Sequence, residues 1–296
     1  MNGNLKQIGF IGLGVMGEPM CRNLALKSGL RIAGYDLNQA PLERLAQHGV
    51  ARCSSIREAV VESDVVFLCL PSGEAVYELT HAAGGLLANI RSGQLVVDLS
   101  TSSVEVTRKL QKDFAALGAT FIDAPIARTR AAAEAGTLSV MVGADAATFE
   151  KVRPLIETFA AEISLCGPVG SGQVLKILNN MILFHNVLIL AEAKAIGEHE
   201  GVDSTVLFET LAKGSADSFA LRNHGIKAVL KNDFPLRAFS VRYARKDLNY
   251  ARQLAESAGI DAESSQKIDA LFSSAIDAGD GDRYWPVISR LIRNQP

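Results

Sequence analysis

Residues 7–36 read QIGFIGLGVMGEPMCRNLALKSGLRIAGYD, and this stretch decides the fold of the amino-terminal half. A short β-branched run, Gln7–Ile11, is followed by glycines at 12, 14 and 17 and then by a helix-like segment. A second apolar run, Arg31–Tyr35, ends at Asp36, about 20 residues beyond the last glycine. Strand, glycine turn, helix, strand and acid in this order predict a βαβ unit with parallel strands.

Each residue of this turn has a physical task in binding a dinucleotide. Gly12 allows the tight turn, Gly14 lets the backbone approach a pyrophosphate, and Gly17 lets helix and strand pack closely. The helix N-terminus offers unpaired N–H groups and a partial positive charge to the phosphates. The Asp36 carboxylate suits ribose hydroxyls and would repel a 2′-phosphate, so the pattern favours NAD over NADP. The alternative is a doubly wound domain that binds no ligand.

The alternation of strands and helices continues and then stops. Further apolar runs occur at 64–70, 95–99, 120–122, 138–142 and 162–166. Continuous runs of this kind predict strands buried on both faces, hence a mainly parallel sheet. After the glycine-rich junction 167–172 only helix-like segments follow. We therefore expect an α/β Rossmann-type doubly wound domain over residues 1–167 and an all-α domain over 168–296, joined by a long interdomain helix from about Gly170 to His199.

Composition limits the function classes. The net charge of -2 argues against nucleic-acid and membrane-surface binding, which usually need a basic face. The four cysteines are scattered and the five histidines lack metal-ligand spacing, so we expect reduced thiols and no metal site. Residues 1–7 are polar, which predicts no cleavable signal sequence, and Lys, Asn and His interrupt the long helix, which argues against a transmembrane segment. A cytoplasmic protein is the resulting expectation.

The first turns of the long helix carry polar residues within an apolar stretch. Lys176, Asn179 and Asn180 stand at i, i+3 and i+4, which places them on one face. Two asparagines have no propensity advantage inside a helix, so their presence suggests a binding or catalytic site. The alternative is a lysine that reaches solvent beside hydrated amides at a frayed helix start.

Polar residues also follow two predicted strand ends, where ligands of parallel sheets bind. Ser100 and Thr101 follow one strand, and they either contact a ligand or cap the next helix together with Glu105. Arg128 follows another strand beside small residues, and its guanidinium could hold a carboxylate, sulfonate or phosphate. Arg130 fits a solvated surface turn better.

Six segments together resemble the β-hydroxyacid dehydrogenase family over nearly the whole chain. They are GFIGLGVMGEPM at 9–20, LP at 70–71, DLSTSS at 98–103, DAPIARTRAAAEAGTL at 123–138, GSGQVLKILNN at 170–180 and KDLNYA at 246–251. The family includes 3-hydroxyisobutyrate dehydrogenase, tartronate semialdehyde reductase and sulfolactaldehyde reductase. As a set, these segments are specific to the family but not to one substrate.

The resemblance implies roles for individual residues. Lys176 matches the catalytic lysine, and Asn180, with Asn179 adjacent, matches a substrate-holding residue. Ser100 is a further candidate substrate residue. The matching cofactor-contacting positions are Gly12, Gly14, Val15, Met16, Gly17, Asp36, Leu70, Pro71, Thr101 and Lys246. From the residues alone, Lys246 could equally belong to an ordinary charged helix face. The resemblance also implies a homodimer or homotetramer.

The loop that binds the substrate's acid group departs from the usual family pattern. Many members have Ser-Gly-Gly there, whereas this chain has Ala127-Arg128-Thr129. This loop looks like that of the sulfolactaldehyde reductase branch, whose arginine at this point holds the sulfonate. Arg128 and Thr129 are therefore the candidate acid-binding residues. The match to that branch is incomplete, because Leu183 stands where it carries a small polar residue.

The expected function is NAD-linked interconversion of a small acidic three-carbon aldehyde and its 3-hydroxy acid. Lys176 would donate the proton or stabilise charge on the carbonyl oxygen, with burial favouring its neutral form and Asn180 orienting it. The alternatives are a 3-hydroxyisobutyrate, tartronate semialdehyde or serine-type dehydrogenase, an imine reductase of similar architecture, and a non-catalytic nucleotide-sensing protein. The last would not need Lys176, Asn180 and Lys246 together.

Overall fold

The computed structural model describes residues 5–294 of the 296-residue chain. The chain divides into two compact units, the first ending at Lys176 and the second beginning at Ile177. Each unit has its own apolar core. The division falls inside a helix, a few residues after the predicted boundary between 167 and 168, and that boundary stays a prediction.

The first unit is built on one nine-stranded sheet in the described part of the chain. Its strands are β1 (Gln7–Ile11), β2 (Arg31–Tyr35), β3 (Val50–Arg52), β4 (Val65–Leu68), β5 (Leu95–Asp98), β6 (Thr120–Asp123), β7 (Ile126–Ala127), β8 (Leu138–Gly143) and β9 (Ala160–Gly167). They lie in the order β3-β2-β1-β4-β5-β6-β8-β7, with β9 paired to β8. The strands are parallel except where β8 meets β6 and β7. The strand order reverses between β1 and β4, which is the switch point where such sheets bind ligands.

Eight helices cover this sheet in the described part of the first unit. They are α1 (Gly17–Lys27), α2 (Gln39–Ala46), α3 (Ile56–Val60), α4 (Gly73–His81), α5 (Leu86–Asn89), α6 (Val104–Ala115), α7 (Arg130–Ala135) and α8 (Ala146–Ile156). Side chains of Asn, Ser, Thr or Asp cap six of them by accepting a backbone N–H of the first turn. Every residue of β4 and β5 is buried, as the continuous apolar runs predict.

The second unit is helical. Its elements are most of α9 (Ser171–His199), then α10 (Ser204–Leu211), a π-helix (Leu221–Val229), α11 (Val241–Ser257), α12 (Glu263–Asp277) and a 3₁₀-helix (Trp285–Asn294). Phe184 of α9, Phe272 of α12 and Trp285 are fully buried, and their rings meet edge to face. The Rossmann-type unit followed by a helical one confirms the predicted fold class.

Helix α9 has 29 residues and is long and apolar enough to cross a membrane by those two measures alone. The core helix of a soluble protein meets the same criteria. Lys176 and Asn180 lie buried within it, at 9% and 2% exposure. That α9 does not span a membrane stays a prediction, which rests on its polar residues.

Two helical segments differ from the ordinary α-helices that the pattern suggests. The π-helix covers Leu221–Val229, and residues 287–292 lie in the 3₁₀-helix. Gly225 lies inside the π-helix, and a Cβ there would stand 3.0 Å from the ring of Phe208. The spacing of apolar residues does not distinguish an α-helix from a π-helix or a 3₁₀-helix, so these two differences could not be predicted from the sequence.

Candidate active site

The glycine turn between β1 and α1 has the geometry that a pyrophosphate needs. Gly12 has φ +92°, and a Cβ there would lie 2.3 Å from the carbonyl oxygen of Cys69. A Cβ on Gly17 would lie 2.0 Å from the carbonyl oxygen of Gly12. Around Gly14, by contrast, a Cβ would meet nothing within 4 Å. Two glycines are therefore required by the fold itself, while the third borders open space where a ligand can approach the backbone.

The start of α1 is also suited to an anion. Met16 precedes the helix without a side-chain cap, and Val15 is 40% exposed. At the end of β2, the Asp36 carboxylate accepts N–H groups of Leu13 (2.6 Å) and Asn38 (2.7 Å). The carboxylate thus lies beside the glycine turn, where a ribose would follow the pyrophosphate. These observations fit a dinucleotide, which supplies or accepts the hydride when bound.

The ends of β4 and β5 are tied together next to this turn. The backbone N–H of Leu70 donates to Oγ of Ser100 (2.9 Å), and Ser100 is only 3% exposed. A methyl of Leu70 lies 2.9 Å from where a Cβ on Gly12 would stand. Thr101, by comparison, is partly exposed. The Ser100 hydroxyl thus has a structural partner, and its predicted substrate contact stays a prediction.

The capping alternative for Ser100 and Thr101 is wrong. Helix α6 is capped by Ser103, whose hydroxyl accepts the N–H of Val106 (3.2 Å). The sequence offers four consecutive Ser or Thr residues at 100–103, and any of them suits an N-cap. Only the place where the backbone turns into the helix decides between them.

Two buried carboxylates lie at the carboxyl ends of neighbouring strands. Asp98 of β5 and Asp123 of β6 are paired in register, and both are fully buried. Burial raises the pKa of Asp98 to about 6, against hydrogen bonds from Ser100 and Ser102 that lower it. Burial likewise raises the pKa of Asp123 to about 6, opposed by backbone N–H groups that include those of Gly170 and Gln173. The sequence analysis assigned neither residue a role.

Asp123, at the end of β6, accepts hydrogen bonds from the backbone at the start of α9. Its Oδ1 accepts the N–H of Gly170 (2.7 Å) and its Oδ2 accepts the N–H of Gln173 (2.8 Å). The Gln173 side chain in turn accepts the N–H of Ser102 (3.0 Å) and donates to the carbonyl of Ser100 (2.8 Å). The first turn of α9 is therefore bonded to the ends of both β5 and β6.

Lys176 follows one turn after Gln173 and is 9% exposed. One further turn along α9, Asn180 donates through Nδ2 to Oδ2 of Asp247 (2.7 Å), and Asn180 accepts at Oδ1 from Asn179 (3.1 Å). Asn180 is buried, whereas Asn179 is exposed. The two asparagines therefore differ in exposure, although their side chains are hydrogen-bonded to each other, and the predicted roles of both stay predictions.

Lys246 and Asp247 lie together in α11. The Lys246 ammonium is 3.1 Å from Oδ1 of Asp247 and 5.2 Å from the centre of the Tyr250 ring. Asp247 is 3% exposed, so this pair differs from an ordinary charged face, which Arg245 matches better through its pairing with Asp269. Asp247 is a further residue that the sequence analysis missed, although it adjoins Lys246 in a family segment.

The loop after β6 forms a short strand and a short helix. Arg128 lies between them with φ +86°, and its Nη1 donates to the carbonyl of Thr137 (2.7 Å). Its Nη2 is 4.0 Å from Oε1 of Glu162. Thr129 caps α7, and Arg130 pairs with Glu134 one turn later. Arg130 thus matches the surface role predicted for it, while Arg128 is tied to the neighbouring backbone.

Comparison with known families covers almost the whole chain. Residues 7–167 match the NAD binding domain of 6-phosphogluconate dehydrogenase. Residues 170–289 match the domain described as NAD-binding of NADP-dependent 3-hydroxyisobutyrate dehydrogenase.

Individual relatives are similar over most of their length. The NAD-dependent L-serine dehydrogenase of Pseudomonas aeruginosa is 35% identical, over 97% of this chain and 98% of that protein. The 3-hydroxyisobutyrate dehydrogenase of the same organism is 37% identical, over 83% of this chain and 84% of its own. The structure of Mycobacterium tuberculosis 3-hydroxyisobutyrate dehydrogenase with L-serine superposes with a TM-score of 0.88 at 31% identity, covering 98% of this chain and 100% of that one. This chain therefore belongs to the β-hydroxyacid dehydrogenase family and is an NAD-dependent oxidoreductase that acts on the CH–OH group of a hydroxyacid.

Proposed function

We propose that this enzyme interconverts a small acidic aldehyde of about three carbons and its 3-hydroxy acid, with a sulfonate such as that of sulfolactaldehyde as the preferred acid group. The observation that carries the proposal is Arg128 in a left-handed backbone conformation, in a loop where many family members have glycines. Holding a non-glycine residue in the left-handed conformation costs on the order of 1–2 kcal/mol, so the presence of an arginine at this position points to a use for its side chain.

Lys176 is the proposed acid–base residue. In aldehyde reduction, negative charge builds on the carbonyl oxygen, and a lysine beside it can donate a proton or stabilise that charge. Its low exposure and its place one turn after the anchored Gln173 support this role. Asn180, which is fixed by Asp247, is proposed to hold the substrate one turn further along, with Asn179 beside it.

The cofactor site is proposed to include the glycine turn with Val15 and Met16, the carboxylate of Asp36, and the residues Leu70, Pro71, Thr101 and Lys246. The position of Asp36 beside Leu13 supports a preference for NAD, because a carboxylate there would repel the 2′-phosphate of NADP.

The acid end of the substrate is proposed to bind Arg128, with Thr129 and Ser100 as further proposed substrate contacts. A guanidinium has five N–H donors, of which the Thr137 carbonyl takes one, so bidentate donation to an oxyanion remains within its capacity. Approach of an anion would compete with the weak attraction to Glu162, whose oxygen is 4.0 Å away.

A second candidate is an L-serine or 3-hydroxyisobutyrate dehydrogenase. The names of the relatives favour it, and so does Leu183, which packs against the apolar core of the second unit where the sulfolactaldehyde branch has a small polar residue. Both substrates carry carboxylates rather than sulfonates, so the acid group is what separates the two candidates.

The test compares Arg128→Ala with the wild type, followed at the nicotinamide absorbance. We expect KM for a sulfonate aldehyde to rise roughly 10- to 200-fold, because the variant loses about one charged hydrogen-bonding group. For an uncharged aldehyde of the same length, KM should rise much less. Arg130→Ala is the matched control, because that side chain pairs with Glu134. Equal effects on charged and uncharged substrates would remove Arg128 from the acid site, and a preference for serine over any sulfonate would favour the second candidate.

We also propose that the enzyme is a homodimer or homotetramer. Leu175, Ile182, Ile189 and Ile196 recur every seven residues along α9 and are 46, 56, 61 and 65% exposed. Seven-residue spacing puts them on one face of the helix, and such an apolar stripe fits packing against another copy of the chain. All four cysteines are unpaired thiols, which supports the proposed cytoplasmic location.

A further inference from the structure

The start of α9 is bonded to a side chain from a distant part of the sequence. The N–H groups of Gly170 and Gln173 donate to the carboxylate of Asp123, which lies 47 residues before Gly170. The backbone closes around this carboxylate: a Cβ on Gly143 would stand 2.3 Å from Oδ1, and one on Gly172 would stand 2.8 Å from Oδ2. A negative charge at this end also interacts favourably with the dipole of a 29-residue helix.

The same turn of α9 is fixed from a second direction. The carboxamide of Gln173 is fully buried and bonds the backbone on both sides of Thr101, through Ser100 and Ser102. Thr101 is a proposed cofactor contact and Lys176 is the proposed acid. The Gln173 carboxamide therefore fixes the loop that carries Thr101 relative to the helix turn that precedes Lys176.

We propose that Asp123 and Gln173 are positioning residues, which set the place of Lys176 by anchoring the first turn of α9 to the ends of β5 and β6. This inference rests on the proposed role of Lys176. Neither residue needs to touch the substrate. A displacement of about 1 Å in a catalytic group can cost roughly 10²-fold in rate, so a loosened helix start should lower turnover.

Asp98 provides the matched control. It pairs with Asp123 in register and is equally buried. It accepts the backbone N–H of Ser100 and the hydroxyls of Ser100 and Ser102. An asparagine in its place can accept the N–H at Oδ1 and donate to the hydroxyl oxygen of Ser102, so those two hydrogen bonds survive. At Asp123 both partners are backbone N–H groups, and the NH₂ of an asparagine cannot accept either of them.

The experiment measures Asp123→Asn, Asp98→Asn and Lys176→Ala in the full-length enzyme. The turnover number is normalised to the NADH-binding sites counted by titration, so that unfolded protein does not contribute. We expect Asp123→Asn to lower kcat roughly 10²-fold and to shift the pH profile of kcat, because the lysine has moved. The Kd for NADH should change less than about threefold, and Asp98→Asn should keep kcat within about twofold.

The outcomes separate the inference from the proposed function. If Lys176→Ala is inactive while Asp123→Asn matches Asp98→Asn, the positioning role is wrong and the proposed role of Lys176 stands. If Lys176→Ala keeps its turnover, the proposed role of Lys176 fails and the inference fails with it. Should Asp123→Asn not fold, Gln173→Met removes the second anchor. It should also lower kcat and shift the pH profile of kcat, and a variant with the kcat and pH profile of the wild type would contradict the inference.

Discussion

Replacing Asp98 with asparagine should make the protein more stable at neutral pH. The carboxyl group is fully buried, and its pKa is raised from the ordinary 3.8 to about 6 by that burial. A raised pKa means that the folded state binds a proton more tightly than the unfolded state. The stability that the protonated Asp98 contributes is therefore fully present below about pH 4 and is lost as the pH rises through about 6.

The size of the effect follows from the same difference. The rise of the pKa of Asp98 from 3.8 to about 6 corresponds to about 3 kcal/mol of folding free energy, which the protein loses when this carboxyl group ionises. Asparagine carries no charge and keeps the hydrogen bonds to Ser100 and Ser102. Asp98→Asn should therefore match the wild type near pH 4 and exceed it by up to about 3 kcal/mol above pH 7. Repulsion from Asp123 is one of the causes of the raised pKa and is therefore already part of this difference.

Urea unfolding of both proteins at several values between pH 4 and 8 measures this difference. The gap in unfolding free energy should open between about pH 4 and 6 and then stay constant. A variant that is less stable than the wild type at pH 7.5, or a gap that does not change with pH, would refute the reasoning. The first result would mean that the carboxylate is stabilised in its charged form by more than its hydrogen bonds suggest.

Three further predictions concern the cofactor and the assembly. Gly14→Ala should fold with an unchanged melting temperature yet bind NADH weakly, because its Cβ meets no protein atom. Gly17→Ala should instead be destabilised by more than about 1–3 kcal/mol, because its Cβ would lie 2.0 Å from the carbonyl oxygen of Gly12. Asp36→Ala should weaken NADH binding relative to NADPH, and an unchanged ratio by titration would count against ribose recognition. Ile189→Glu should shift the mass in sedimentation towards the monomer with the helical content retained; an unaltered oligomer would exclude the α9 stripe as the interface.

The parts of the fold that the sequence predicts are those encoded locally. The glycine turn, its flanking strands and Asp36 all lie within 30 residues, and their order is compatible with only one arrangement, a βαβ unit. The long helix was predicted from Gly170 and begins at Ser171 because continuous apolar residues define it. The family segments add the proposed catalytic role of Lys176, which physical reasoning alone leaves as one of two alternatives.

The parts that escaped prediction depend on pairing between distant residues. Asp123 and Gln173 meet only because β6 ends beneath the start of α9, and no spacing rule relates residues 50 positions apart. Asp247 was adjacent to a predicted site residue, yet its bond to Asn180 spans 67 positions. An acid at the end of a buried strand is the signal that could have drawn attention to Asp98 and Asp123, because such an acid needs internal partners.

The most direct test of the proposed chemistry is Lys176→Ala, measured by steady-state turnover and by NADH titration on the same preparation. If Lys176 donates the proton, kcat for aldehyde reduction should fall by roughly 10²–10⁴ while the Kd for NADH stays close to that of the wild type. Turnover near the wild-type value, with NADH bound at full stoichiometry, would contradict the assignment of Lys176 as the catalytic residue.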